Sequence, residues 1–280
     1  MVAESLHSIA DSINEILLLV GARRSLRPPD RRHPFGYARF RYVYAYTVSL
    51  AVFWIGGVLA LIEGLTHIFE PESVVEPLWA FGVLAFAAVF EGWSLRTTII
   101  TNRRSKGSRS WRHLLRRTKT PELIVILLED LGALVGIALA AAGLTLAAIT
   151  GDGTWDAIAS VAIGVLLMGV GLVINRETTS LLVGESATDE TVTAITEAIE
   201  GTEGIVGLAG LRTIHVGPDD LVVAARVLVE SAQTAAAIAR SIAEAKARIL
   251  RVTPSRTVIY LEPRVSDSAP NERTATSPPR

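Results

Sequence analysis

Apolar residues run along this chain in long stretches, broken by short polar and charged links. Four stretches stand out by length: Tyr42–Ile68, Pro77–Ile100, Pro121–Ile149 and Thr154–Ile174. Each reaches the roughly 20 residues that a helix needs to cross a hydrocarbon core. A fifth, Ala3–Gly21, has the same apolar period but carries His7, Asp11 and Asn14 at spacings of four and three. On a 3.6-residue period those intervals stack the three side chains on one face. The pattern predicts five membrane helices, at 4–21, 42–68, 77–100, 121–149 and 154–175. Thr120-Pro121-Glu122 opens the fourth, with Pro at the first helical position and an acid at the positive end of the helix dipole. Asp156 does the same for the fifth.

Beyond Arg176 the period changes. Ser186–Glu200 reads as an amphipathic helix closed by Gly201. Leu208–Val216 and Leu221–Val229 alternate like strands, joined by the turn Gly217-Pro218-Asp219-Asp220. Ala232–Leu250 is an alanine-rich helix stopped by Pro254, and Thr257–Leu261 is a further strand. An αββαβ order predicts a small ferredoxin-like α+β sandwich. The expected fold is therefore an α-helical polytopic membrane bundle, residues 1–180, followed by an α+β domain, residues 185–264. Residues 265–280 are polar and rich in Pro, Ser and Thr, which predicts a disordered tail.

Composition agrees with a bilayer as solvent. Half of the 280 residues are hydrophobic and only 20% are charged, with a mean hydropathy of +0.40. A net charge of −1 gives no case for nucleic acid as a partner. The absence of cysteine excludes disulfides and thiolate metal sites. Charge placement adds a direction. Residues 22–41 hold seven arginines and residues 103–119 hold eight Lys or Arg, together 15 of the chain's 27. Residues 69–76 and 150–153 hold acids and no basic residue. The positive-inside rule puts both basic loops, and the C-terminal domain, in the cytoplasm. The expectation is an integral protein of a bacterial plasma membrane. On that topology the first helix begins outside with no leader; the expectation is that a further membrane helix precedes it, the alternative being a shortened form.

Ionisable groups at membrane depth cost several kcal/mol and are functional candidates by default. His7 and Asp11, one turn apart, can offer two ligands to a borderline divalent ion such as zinc. The fourth helix adds Glu129 and Asp130. Adjacent positions are about 100° apart, so both cannot point squarely at one centre. One is expected to bind the ion and the other to stand behind it or accept a proton. Simpler readings stand beside these. His7 and Asp11 can be a hydrogen-bonded pair joining helices, and the two acids can pair with an arginine from a basic loop. Asn14 fits an interhelical hydrogen bond or a supporting role at the ion. Glu63 and His67 read as a shallow interfacial pair, and Glu91 carries no assigned role. His33 reads as solvated or packed on its turn, and His215 as a structural strand histidine. Gly56-Gly57 and Gly132 with Gly136 permit close helix approach.

These motifs resemble a known family. Ala3-Glu4-Ser5-Leu6-His7-Ser8-Ile9-Ala10-Asp11-Ser12-Ile13-Asn14 is similar to the second-helix signature of the cation diffusion facilitator transporters. His33-Pro34-Phe35-Gly36-Tyr37-Ala38-Arg39-Phe40-Arg41-Tyr42 resembles their loop into the third helix, and the αββαβ tail resembles their cytoplasmic domain. Glu129-Asp130 is similar to the branch of the mitochondrial zinc-transporter-9-like proteins. Most members have His or Asp where this chain has Ile126, and the resemblance begins at the family's second helix. The resemblance implies a homodimer, joined through the cytoplasmic domain, that exports divalent cations from the cytoplasm in exchange for protons. It implies a metal site of His7, Asp11 and Asp130 with Glu129 as fourth ligand, and His7 as proton carrier. Zinc or another divalent cation is then the transported substrate, with no organic cofactor and no enzymatic activity. The alternative is a membrane-embedded metal-binding regulator that does not transport. An intramembrane hydrolase is disfavoured, because no nucleophile is partnered with a base.

Overall fold

The computed structural model describes residues 2–69, 77–106, 118–254 and 256–266, with side chains for all of these except 2–11, 77–78 and 103–106. The link 70–76, most of the second basic loop and nearly all of the expected disordered tail lie outside the described residues. The chain divides into two units, Met1–Val183 and Gly184–Arg280.

The first unit is helical. It contains α1 (Val2–Ser25), α2 (Phe40–Ala51), a π-helical segment Val52–Val58 and α3 (Leu59–Phe69). After these come α4 (Pro77–Lys106), α5 (Pro121–Thr150) and α6 (Thr154–Val183). Four continuous helical stretches among the described residues are long and apolar enough to cross a membrane: Phe40–Phe69, Trp79–Asn102, Pro121–Thr150 and Thr154–Val183. α6 continues past the expected end near 175 and stops at Gly184, whose φ of 113° closes the helix in a conformation that suits glycine.

α6 lies along α2–α3 and against α5, α4 rests on α5, and α1 rests on α2. The contact of α6 with α2–α3 is nearly backbone on backbone. A methyl at Gly164 would sit 2.6 Å from the Leu61 nitrogen, and one at Gly57 would sit 2.8 Å from the Met168 nitrogen. Small residues allow this approach, and dispersion then replaces the hydrophobic drive that lipid cannot supply. The π segment lies within this contact. The Leu59 N–H bonds to the Trp54 carbonyl, five residues back. Hydropathy alone predicts an unbroken α-helix here. The wider turn lies where a neighbouring helix packs against this span, a circumstance that periodicity along one segment does not report.

Leu18, Ala45, Val48, Val52, Val125 and Ile174 form one apolar cluster of this unit. Tyr42, Ile124 and Leu181 form a second. The loop between α1 and α2 is compact. The Asp30 carboxylate accepts the N–H groups of Arg32 (2.8 Å) and His33 (2.7 Å) through Oδ1 and the Tyr37 hydroxyl (2.7 Å) through Oδ2. The Gly36 N–H closes a turn onto the His33 carbonyl at 2.9 Å, with Pro34 preset for the turn and Gly36 at φ 79°. The His33 ring packs 4.3 Å from Tyr37. It is therefore packed on its turn.

The second unit holds α7 (Asp189–Glu200), β1 (Ile205–His215), β2 (Asp220–Val229), α8 (Ala235–Val252) and β3 (Arg256–Val265). The sheet order is β1-β2-β3. β1 and β2 form an antiparallel pair, and β3 returns parallel to β2 after the α8 crossover. Leu221, Val223, Ala225, Val227 and Val229 alternate into the core along β2. There Leu221, Val223, Ala225 and Val227 meet Ile195 and Ile199 of α7 and Ala245 and Ile249 of α8. Thr188 and Thr234 cap the two helices through their hydroxyls. His215 is buried, with Nδ1 3.3 Å from the Gly217 carbonyl, a position that ties the strand end to the β1–β2 turn.

Candidate metal centre

The centre is built on α5. Pro121 occupies the first turn and Glu122 follows it. The Arg41 guanidinium grips Glu122 with two bonds, Nε at 2.6 Å and Nη2 at 2.9 Å. Both side chains are mostly withdrawn from solvent. A planar guanidinium on a carboxylate fixes orientation as well as distance, so the start of α5 is tied to the start of α2. The arginine of the first basic loop thus finds its acid at Glu122.

Glu129 and Asp130 lie two turns further on, roughly 10–12 Å along the axis from Glu122. Asp130 is buried and Glu129 half-buried. Two other helices reach them. From α1, Asn14 Nδ2 donates to Glu129 Oε1 at 2.5 Å. From α4, the Ser94 hydroxyl donates to Asp130 Oδ2 at 3.0 Å. Adjacent residues of a helix diverge by about 100°, and here that divergence lets each acid meet a different helix.

Asn14 is 1% exposed. Its Oδ1 is buried and has no hydrogen-bond partner among the described residues. An amide oxygen left in that state costs about 1–3 kcal/mol, so a position that keeps one has a use for it. The carboxylates and this amide present oxygen donors, which suit hard and borderline divalent cations.

His7 and Asp11 belong to α1 by backbone, but their side chains lie outside the described residues. In sequence Asp11 precedes Asn14 by three residues and His7 precedes it by seven. Among the described residues, no three His, Asp or Glu side chains converge as a metal cluster. Ile126 is partly buried against the apolar cluster around Leu18 and Val125. Glu63 and His67 are half-buried near the end of α3. Ser94 was not singled out from sequence. Its signal was the spacing of three from half-buried Glu91, which puts both on one face of α4.

Adjacent acids on an apolar helix long enough to cross a membrane, met by polar groups from two flanking helices, are features that a cation transporter of the membrane would use. The cation efflux transmembrane domain matches residues 1–183. The chain belongs to the cation diffusion facilitator family of transporters. It is 32% identical over 199 residues to the mitochondrial proton-coupled zinc antiporter SLC30A9 of Xenopus laevis, covering 70% of this chain and 36% of that protein. To metal tolerance protein C4 of Arabidopsis thaliana it is 27% identical over 197 residues, covering 70% of this chain and 43% of that protein. To the manganese efflux system protein MneP of Bacillus subtilis it is 25% identical over 196 residues, covering 68% and 61%. The chain thus spans only a little over a third of the length of the antiporter it resembles.

Proposed function

We propose that this protein exports a divalent metal cation, zinc foremost, from the cytoplasm in exchange for protons. The observation that supports the reading is the pair of bonds from α1 and α4 onto the adjacent acids of α5. The first of them joins α1, the helix that carries His7 and Asp11 in sequence, to Glu129 through Asn14. His7, Asp11, Asp130 and Glu129 then bind the ion as neutral imidazole and ionised carboxylates. Protons arriving from the far side compete for the same lone pairs and release it. His7 is the group whose ordinary pKa lies nearest neutrality. Membership of a cation efflux family and similarity to a protein named as a zinc antiporter support cation, zinc and proton alike. The two basic loops support an orientation with the C-terminal unit on the cytoplasmic side. Two copies pair through that unit, readable as a doubled particle mass in detergent.

The test is metal uptake into proteoliposomes across a panel of divalent ions, with and without a pH gradient. Asp11→Ala and Asp130→Ala should each lower flux by at least a hundredfold while the purified protein keeps its elution volume and helicity. Wild-type flux in both variants removes the site assignment. Metal binding without flux in the unmutated protein would make it a binding regulator instead.

A further inference from the structure

The Asn14 amide does two things that a purely structural hydrogen bond does not require together. Its nitrogen holds Glu129, and its oxygen is kept buried beside that carboxylate with no donor among the described residues. A helix contact needs only the first. Leucine would fill the same volume and leave no orphan acceptor, and burying a polar atom without a partner is costly enough to disfavour the amide. An acceptor-only oxygen next to an acid attracts a cation and repels an anion.

We infer that Asn14 Oδ1 is itself a ligand of the transported cation, a fifth donor beside the four already proposed, and that it widens the substrate class from zinc towards manganese. The inference rests on the proposed export site. With no cysteine in the chain, the donors there are one imidazole, carboxylates and this amide. Zinc is satisfied by four ligands in a tetrahedron. Manganese prefers oxygen, carbonyl oxygen included, and takes more ligands than four. The amide oxygen therefore matters most to the larger, harder ion.

Calorimetric titration of purified full-length protein with Zn2+ and with Mn2+ tests this on four variants. Asn14→Leu removes both amide functions. It should weaken Mn2+ binding at least tenfold and leave Zn2+ within about threefold. Asn14→Asp keeps an oxygen donor but loses the N–H that holds Glu129, and it should retain Mn2+ binding within about fivefold. Glu129→Ala and Asp130→Ala should weaken both ions. If Asn14→Leu and Asn14→Asp lose both metals alike, Asn14 only positions Glu129 and the inference is overturned. Unchanged Mn2+ affinity in Asn14→Leu overturns it as well. Should Glu129→Ala and Asp130→Ala bind both ions normally, the export site itself fails, an outcome distinct from the other two. Elution volume and thermal unfolding of each variant establish that it is folded.

Discussion

Single residues here do work that their neighbours in sequence do not disclose. Asp30 lies in a stretch of seven arginines, yet its oxygens turn to two backbone amides and a phenol. The Tyr37 hydroxyl and the His33 N–H hold the Asp30 carboxyl below the usual carboxylate range, and the same bond to Asp30 raises the Tyr37 phenol above its ordinary value. The signs are opposite. A depressed acid supports the loop above its ordinary pKa and stops doing so as pH falls through the lowered one. A raised phenol supports the loop below its ordinary pKa and stops as pH rises through the raised one. The loop should therefore be most ordered between roughly pH 4 and pH 10. Asp30→Ala should speed amide exchange at Arg32 and His33 by roughly tenfold at neutral pH, because both amides lose their acceptor. Exchange equal to that of the unmutated protein would show that Pro34 and Gly36 hold the turn alone.

Between helices, the decisive quantity is how closely backbones approach. A side chain at Gly164 would meet the Leu61 backbone, whereas a methyl at Gly92 on α4 would meet nothing within 4 Å. Gly164→Leu should destabilise the protein by about 1–3 kcal/mol through overpacking. Gly92→Ala should leave it unchanged or more stable by about 1 kcal/mol through helix propensity. Thermal unfolding in one detergent compares the two, and equal midpoints would contradict the packing described. At this scale the sequence was legible where a signal is local. Four apolar spans, the strand alternation from Leu221 to Val229 and the Pro121–Glu122 helix start could all be read directly. The π turn at Val52–Val58 could not, because apolar periodicity does not separate a π turn from an α turn. Nor could Ser94, whose meaning depends on which helix lies beside α4. The partner of Arg41 was equally hidden, since Glu122 is 81 residues away and any acid on α5 satisfied the charge argument. The divergence of Glu129 and Asp130 was legible from helix geometry, and so was an interhelical bond from Asn14, but the approach of α4 to Asp130 was not.

At the scale of the molecule, the distribution of charge predicts an orientation that can be measured directly. The chain has no cysteine, so single cysteines can be placed without first removing others. Arg31→Cys and Ser108→Cys should react with an impermeant maleimide only when the cytoplasmic side is open. Ser73→Cys and Asp152→Cys should react from the opposite side. Labelling of all four from one side would overturn the topology, and with it the direction of export.

The π segment of the second span has a consequence for how chains of this kind can diverge in length. A π turn is the trace of one surplus residue absorbed locally, so the helices before and after it keep their bearings. Deleting one residue among Val52–Val58 returns the rod to ordinary α geometry without swivelling either flank. The same deletion within α5 would rotate everything beyond it by about 100° and carry Glu129 and Asp130 away from their neighbours. One span can therefore shorten by a residue without disturbing its surroundings, while the other must keep its length.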